Sequence, residues 1–390
     1  MNGNPLRALS KNNWSDGKTD NTMIDLGFDL KPVKGLVISG QGAFKGWESK
    51  SRGYTALQDN VKNFETGAEI PGTGVYTNEM NMFWQSENRT MYTLTARYDW
   101  SNKVHNIGIL AGTSYEHYKY ERLYAKWKDF VTDDLEDMTT GGEISKDQPD
   151  QNSYGTPLRE YKILSYFGRL NYSLLDRYLF EANLRADASS RFHKDNRWGI
   201  FPSFSAGWRI NQENFMQQID WINNLKIRAS WGTLGNINNV GNYDYFQLYN
   251  NGADYNFDNE AVKGVLESKP ANEKLGWETV ALTDIGVDFD IFNGLLSLTA
   301  DYYVKNTSDI LLSYNVPLET GIWSNPSQNI AKVRNSGFEL ALTHRKSFGD
   351  FSYMVSANIA TNHNELMALP HSTFSRCGTY LISPAFGLRP

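Results

Sequence analysis

The sequence is poor in cysteine, in histidine and in long apolar runs. Its 390 residues include one cysteine, Cys377, and six histidines, which excludes an internal disulfide framework and a metal cage built from thiolates. No stretch approaches the ~18 consecutive apolar residues of a transmembrane helix, and residues 1–20 lack the charged and apolar regions of a signal peptide. The formal net charge is -6 without a block of like charges, so we expect no general nucleic-acid binding.

The motifs of common enzymes are absent as well. The histidines are scattered without an HExxH pattern or a pair at metal-ligand spacing, and no G-x-S-x-G elbow, P-loop or complete G-x-G-x-x-G occurs. The stretch DFDIFNG at 288–294 resembles a calcium loop only superficially, because its aspartates belong to a predicted strand and its Asn-Gly pair to the following turn. We therefore expect neither an enzyme nor a bound metal or other cofactor.

What the sequence does contain is alternation with a period of two. In TMIDLGFDL (22–30) every second residue from Ile24 to Leu30 is apolar, and the residues between them are aspartate or glycine. Such alternation predicts β-strands rather than helices. The same pattern predicts twelve strands, at 22–30, 36–47, 90–100, 104–116, 161–172, 178–188, 199–210, 225–235, 277–291, 295–305, 335–346 and 351–363.

The lengths of the strands and of their connections suggest an architecture. Most predicted strands have about ten residues, close to the ~9–11 that cross a bilayer at a tilt. Short connections such as KPVKG, SLLDR and FNG alternate with connections at 48–89, 117–160, 189–198, 236–276 and 306–334, most of them very long. We therefore expect an all-β chain, a segment of an antiparallel up-and-down transmembrane β-barrel with short periplasmic turns and long extracellular loops.

Aromatic residues support this expectation, because barrels carry aromatic girdles at both water interfaces. Those beside the short connections are Tyr98, Trp100, Tyr172, Tyr178, Trp208, Phe289 and Tyr353, and those toward the long connections are Tyr92, Tyr115, Trp231, Tyr302 and Phe338. The alternative is that aromatic residues simply favour strands in any sheet. The opposite face carries charges of both signs, which in a wide barrel would line water or a plug.

Local signals predict some turn and loop contacts. Asn293 and Gly294 stand where a tight hairpin requires positive φ. In the connection DASSRFHKDNRWG we expect local ion pairs among Arg191, Asp195 and Arg197.

The long connections are rich in aromatic and amide side chains. Sugars stack on aromatic faces while amides and carboxylates bond their hydroxyls, so this composition suits a glycan ligand. The candidate ligand contacts are Trp84, Tyr243, Tyr245, Phe246, Tyr249, Tyr255 and Trp323. The alternative is that these rings pack the loops against one another.

Several long stretches resemble one protein family. The stretches SYFGRLNYSLLDRYLFEANLRADASSRFHKDNRWGIFPSFSAGWRI (165–210), NNLKIRASWGTLGN (223–236), WETVALTDIGVDFDIFNGLLSLTADYYVKNTSDILLSYNVPLETG (277–321) and VRNSGFELALTHRKSFGDFSY (333–353) closely resemble the SusC/RagA family of TonB-linked outer-membrane transporters. The resemblance covers residues 160–366 specifically and residues 20–120 more loosely.

This resemblance implies an integral β-barrel of the Gram-negative outer membrane, surrounded by its lipids, that imports large nutrients such as oligosaccharides or peptides. It also implies two partners in the full-length protein, a SusD-like lipoprotein lid and the TonB complex. A plug and a TonB box are not recognisable here. We therefore expect a fragment from the barrel, with an incomplete leading loop at 1–21, the barrel segment at 22–366 and a divergent tail, frameshifted or truncated, at 367–390.

Two other functions compete with import. One is a soluble all-β glycan-binding module, although no repeat of the ~40–50 residues that a propeller needs is visible. The other is an outer-membrane adhesin or porin that does not transport nutrients actively. If about twelve strands stood alone in a bilayer, two unpaired edges would each cost several kcal/mol per unsatisfied backbone group. We therefore expect this segment by itself not to transport.

Overall fold

The computed structural model describes residues 11, 13–132, 158–258, 260–313, 319 and 325–369. Trp323 and most of the predicted tail lie outside these residues. Within them the chain is almost entirely β-structure, with two 3-10 helices at Ile210–Gln212 and Asn214–Met216. None of the helices in the described ranges has the length and apolar character to span a membrane.

The described residues form nineteen strands, and twelve of them follow one another in a single antiparallel sheet. The strands are β1 (Trp14–Leu30), β2 (Leu36–Thr55), β3 (Val61–Lys62), β4 (Glu69–Ile70), β5 (Glu79–Ser101), β6 (His105–Lys128), β7 (Arg159–Leu174), β8 (Tyr178–Ser189), β9 (Trp198–Arg209), β10 (Ile222–Asn236), β11 (Leu248–Asn251), β12 (Tyr255–Phe257), β13 (Glu260–Val262), β14 (Val265–Lys269), β15 (Glu278–Ile291), β16 (Leu296–Ser313), β17 (Ser327–Phe348), β18 (Phe351–Ala360) and β19 (His363–Ala368). The order in the sheet is β1-β2-β5-β6-β7-β8-β9-β10-β15-β16-β17-β18, and β19 also pairs with β17.

The predicted fold class is confirmed, since each of the twelve predicted strands corresponds to one of these twelve. At the short connections the predicted and observed strand ends differ by no more than three residues. At several long connections, however, the strands are much longer than predicted. β2, β5 and β6 have 20, 23 and 24 residues, and β1 begins at Trp14, inside the predicted leading loop.

The extensions escaped the prediction because they do not alternate. Residues 14–21 of β1 and 48–55 of β2 carry mostly polar side chains on both faces, so the period-two signal fades there. They are strands because their main chains pair residue by residue, from Trp14 opposite Tyr54 to Asp20 opposite Glu48. The main-chain pairing of β1 with β2 therefore extends beyond the alternating apolar residues from which the strands were predicted.

The chain divides into two compact units. Unit 1 comprises residues 1–96 and 112–164, and unit 2 comprises residues 97–111 and 165–390. The buried cluster of unit 1 consists of Tyr54, Ala56, Met80 and Phe130, with Trp14 and Trp127 packed against it. The buried cluster of unit 2 consists of Phe192, Val240, Leu275 and Leu311, with Ile237 and Trp277 packed against it.

The main sheet has one apolar and one polar face, and the apolar face is exposed. On β1 of unit 1, Ile24 is 50% and Leu26 is 72% exposed, and on β9 of unit 2 Phe204 is 54% exposed. Exposed apolar area on this scale is rare on a soluble monomer and marks a surface that contacts another apolar phase or partner. In each unit we call the side that carries these residues, Leu26 in unit 1 and Phe204 in unit 2, the apolar face, and the opposite side of that unit the polar face.

The tight turns at the short connections use left-handed backbone conformations. Asn293 and Gly294 have φ of 57° and 80°, as predicted, and Phe292 joins them at 51°. In the connection after β7, Leu175 and Asp176 have φ of 54° and 56°. Positive φ at consecutive residues is what matches a tight hairpin to the twist of its strands.

The buried cluster of unit 2 makes a first prediction. Phe192→Ala removes a ring that is 0% exposed, and we expect it to lower the free energy of unfolding by about 3–5 kcal/mol because a cavity remains. Urea-induced unfolding of the detergent-folded protein measures this. Phe64→Ala is the control, since Phe64 is 93% exposed and its loss should change little. Equal effects of the two variants would contradict the prediction.

Candidate functional site

The long connections of unit 2 pack onto each other into one body. We call residues 189–198 together with 236–258 and 260–277 the loop cluster. Its centre is the buried ring of Phe192, whose centroid lies 5.3 Å from that of Trp277. Phe201 of β9 meets the same indole at 5.4 Å. The loop cluster therefore has a hydrophobic core of its own at the end of the sheet.

Side chains within the loop cluster satisfy its backbone carbonyls. The Arg191 guanidinium donates to the carbonyls of Ile237 and Val240, at 3.0 and 3.2 Å. The Trp277 indole donates to the carbonyl of Arg197 at 2.9 Å, and the Asn196 amide to that of Glu273 at 2.7 Å. These bonds hold the two connections in one arrangement.

The expected ion pairs among Arg191, Asp195 and Arg197 are therefore wrong. Arg191 bonds carbonyl groups, and Arg197 donates to the carbonyl of Phe192 at 3.2 Å. Asp195 lies 3.3 Å from Nδ1 of His193 instead. The two carbonyls that Arg191 bonds come from residues far away in the sequence, and the carbonyl that Arg197 bonds comes from its own connection.

Three of the predicted ligand contacts lie together in the loop cluster. The rings of Tyr245 and Phe246 stack at 4.2 Å, and Tyr243 lies 6.3 Å from Phe246. Tyr243 and Phe246 are 40% and 47% exposed, so part of each ring remains free for a ligand. We call Tyr243, Tyr245 and Phe246 the aromatic platform.

Sequence reasoning missed the residues that hold the aromatic platform. His193 meets Tyr245 edge to face, 6.1 Å between centroids. The Asp244 carboxylate accepts from the ammonium of Lys269 at 2.9 Å and from the backbone N–H of Gly241 at 2.6 Å. No local pattern distinguishes His193 and Lys269, because they lie far along the chain from Tyr245 and Asp244.

The remaining predicted contacts lie elsewhere. Tyr249 and Tyr255 belong to β11 and β12, which with β13 and β14 form two short antiparallel ladders, and they are 61% and 66% exposed. Trp84 is in unit 1, and the prediction that it lies in a long loop is wrong. It lies on β5, because that strand begins at Glu79. Its indole donates to Oε1 of Glu48 at 2.9 Å. Trp323 lies outside the described residues.

A cluster of charges occupies the polar face of unit 2. The guanidinium of Arg228 on β10 lies 3.2 Å from Asp284 and 3.4 Å from Asp288, both on β15, and 2.6 Å from Asp301 on β16. Gly286, between the two aspartates of β15, makes room for this arrangement. A Cβ at that position would collide with the Asp301 carboxylate and with the Arg228 guanidinium.

Beside this cluster the polar face has a hollow of about 800 Å³. Small residues leave room for it, among them Gly108, Ser205 and Gly207. The charged residues that line it are Arg97, Asp99, Glu181, Lys226, Arg228 and Asp284. Fixed charges of both signs suit water and polar solutes rather than an apolar ligand.

At the short-connection end of unit 2 a carboxylate ties together strands β8 and β9 and the turn before β8. Glu213, 9% exposed, accepts from the Tyr178 hydroxyl at 2.7 Å, the Trp208 indole at 3.0 Å and the Arg177 guanidinium at 3.1 Å. These hydrogen bonds, with the nearby Arg177 charge, hold the pKa of Glu213 below its ordinary value.

This pKa shift makes a prediction about pH. A carboxyl whose pKa is lowered by folding stabilises the fold above its ordinary pKa of 4.5, and that contribution is lost as the pH falls through the folded-state pKa. The urea midpoint of Glu213→Gln should therefore lie below that of the unsubstituted protein at pH 7, and the difference should shrink on acidification below 4.5. A difference independent of pH would contradict this, and the exposed Glu65→Gln is the matched control.

A further prediction concerns the charge cluster around Arg228. The substitution Gly286→Ala should push apart Arg228 and Asp301. We expect it to lower the free energy of unfolding by about 1–3 kcal/mol, because the added methyl overpacks the site. Gly168→Ala is the control, since its Cβ would meet only the carbonyl of Leu110 at an ordinary 3.5 Å. Urea unfolding of the two variants side by side measures the difference, and equal stabilities would show that the cluster relaxes freely.

Comparison with known proteins extends this picture. Residues 2–388 match the family model described as TonB dependent receptor-like, beta-barrel. The TonB-dependent receptor SusC of Bacteroides thetaiotaomicron is 39% identical over 224 residues, which are 56% of this chain and 22% of that protein. The TonB-dependent receptor P39 of Formosa agariphila is 32% identical over 304 residues, 78% of this chain and 28% of that protein.

Solved structures agree with these relatives. The RagAB peptide importer in its closed-closed state has a TM-score of 0.77 and 26% sequence identity, covering 92% of this chain and 37% of that chain. Its open-open state gives the same TM-score at 25% identity. The chain thus spans about a quarter of the length of the curated relatives it matches.

Proposed function

Because the chain belongs to the TonB-dependent receptor-like β-barrel family, in its SusC/RagA branch, we propose that it forms part of an importer that carries an oligosaccharide or a peptide across the outer membrane. The observation that carries this proposal is the contrast between the two faces of the sheet. One face exposes rows of large apolar side chains, and the other carries charges of both signs.

In this proposal the apolar face contacts the outer-membrane lipids and the polar face lines an aqueous passage. Alternation of this kind is the signature of outer-membrane barrels. The short connections then face the periplasm and the loop cluster faces the outside, where a nutrient arrives. A soluble glycan-binding module is disfavoured, because the apolar face would stand in water.

The aromatic platform is the proposed contact for the nutrient. Tyr245 and Phe246 form a stacked pair on which a sugar ring or a peptide side chain can lie. The carboxylate of Asp244 and the ammonium of Lys269 fix the loop between them, so the platform is preorganised. Tyr249, Tyr255, Trp84 and Trp323 remain proposed contacts from their residue types alone.

Two partners belong to the same proposal. A SusD-like lipoprotein would cover the loop side, and the TonB complex would supply energy from the periplasmic side. The exposed apolar side chains of β11 to β14 offer a docking surface for the lipoprotein, since Tyr249, Phe257 and Val265 are each more than 60% exposed. The comparisons name receptors and importers rather than enzymes, and we propose no catalysis.

The proposal is tested by growth and by binding. Deleting the gene should abolish growth on the cognate oligosaccharide or peptide as sole carbon source. Unchanged growth on every nutrient would contradict import, and an adhesin or a porin would then be the function that remains. In the purified protein, Tyr245→Ala combined with Phe246→Ala should weaken nutrient binding by about tenfold or more, because each stacked ring contributes roughly 1 kcal/mol.

Isothermal titration of the purified protein with the nutrient measures that loss. Phe215→Ala is the matched control, because this exposed ring lies on the 3-10 helix at the opposite, short-connection end. If the platform variant and the control bind alike, the platform is not the contact, even where the deletion strain has lost growth.

A further inference from the structure

The apolar face of unit 2 contains a hollow of about 460 Å³. Its floor consists of three alanines, Ala182, Ala206 and Ala229, on three neighbouring strands. We call it the alanine hollow. Its volume is within the ~300–1,000 Å³ of sites that bury small ligands.

The register of the sheet creates this floor. Ala206 stands opposite Phe180 on one side and opposite Ala229 on the other, and Ala229 stands opposite Ile285. Two small side chains therefore lie between two large ones in the same row across four strands. The depression follows from pairing, because neither alanine is unusual within its own strand.

The next row across the strands forms a wall. Ala182 stands opposite Phe204, and Phe204 opposite Trp231, whose rings stack at 6.2 Å with an interplanar angle of 11°. Both rings also face outward, 54% and 41% exposed. The hollow is thus bounded by rigid aromatic groups that cannot collapse into it.

Unit 1 also has a hollow on its own apolar face. Its volume is about 410 Å³, and Gly40 and Gly42 are among the residues that line it, with the ring of Phe28 lying over Gly40. Phe28 stands opposite Gly40 and Leu26 opposite Gly42, and Tyr92 lines the hollow as well. A hollow lined by small and by aromatic residues thus occurs on the apolar face of each unit.

An empty hollow in an apolar surface is unfavourable, because its lining loses dispersion contacts. Water cannot fill it, since the outward side chains that line it are apolar except for Thr283 and the hydroxyl of Tyr172. The hollow is continuous with the face that contacts membrane lipids. We propose that the alanine hollow holds an acyl chain of one phospholipid, which stays with the protein as a bound lipid.

The position of the hollow selects the leaflet. Ala206 is two residues, roughly 7 Å along the strand, from Trp208, whose indole N–H bonds Glu213 in the short connection. Tyr172 lines the hollow, and its hydroxyl lies 2.9 Å from Nδ1 of His105 at the same end. The acyl chain in the hollow therefore belongs to a phospholipid of the periplasmic leaflet, whose headgroup lies near these polar groups.

Packing rather than the hydrophobic effect holds the acyl chain in the hollow. Bulk lipid is as apolar as the hollow, so transfer from the bilayer gains only van der Waals contacts and shape complementarity. Filling the floor should then abolish binding while leaving the apolar surface intact. Ala206→Leu combined with Ala229→Leu does this without touching the polar face or the loop cluster.

Native mass spectrometry of the full protein, extracted in mild detergent with phosphatidylethanolamine, counts the lipids that remain bound. We expect the unsubstituted protein to retain about one more phospholipid than the filled variant. Ala96→Leu combined with Ala300→Leu is the matched control, because these alanines lie on the apolar face outside both hollows. Heat-modifiable migration on gels verifies that all three proteins fold.

Equal lipid counts in the filled variant and in the control would overturn the proposal. So would a change from dimer to monomer in the filled variant alone, because a second copy of the chain would then cover the hollow. If the leucine pair fails to fold, the smaller Ala206→Val with Ala229→Val should retain an intermediate amount of lipid, and full retention would overturn the proposal as well. Nutrient growth and binding are independent of each of these results.

Discussion

Each strand of the main sheet carries two rows of side chains that require different surroundings, and the register of the main-chain hydrogen bonds decides which row faces which. A slip of β10 by one residue against β9 would turn Trp231 to the polar face and bring Lys226 and Arg228 to the apolar face, while Phe204 of β9 kept its side. Such a slip would bury charges in an apolar phase at a cost of several kcal/mol. The same register places Arg228 among three carboxylates and aligns the alanines of the hollow.

The loop cluster and the Glu213 site depend on that sheet in different ways. Glu213 gathers Tyr178, Trp208 and Arg177 at the short-connection end, where strand ends are already adjacent. At the opposite end, strands bring the starts of two long connections together, and Phe192 fills the space between them. A rigid scaffold with structured loops on one side is an arrangement that suits ligand binding.

Much of the fold was predictable from the sequence because its signals are local. Alternation located the twelve strands that follow one another in the sheet and assigned their faces, and turn residues such as Asn293 and Gly294 marked the short connections to within three residues. The strand extensions were not predictable, since residues 48–55 of β2 are polar on both faces and only their pairing shows them to be strand. Trp84 was therefore placed in a loop although it lies on β5.

The sequence by itself determined the fold class, the orientation of the strand faces and the family, because each rests on patterns a few residues long repeated many times. Tertiary structure alone decided which loop residues meet. His193 and Tyr245 are far apart in the sequence yet in contact, and Ala206 and Ala229 form one floor only through strand register. Contacts of this kind depend on the closure of long connections and on pairing between strands, which no local pattern encodes.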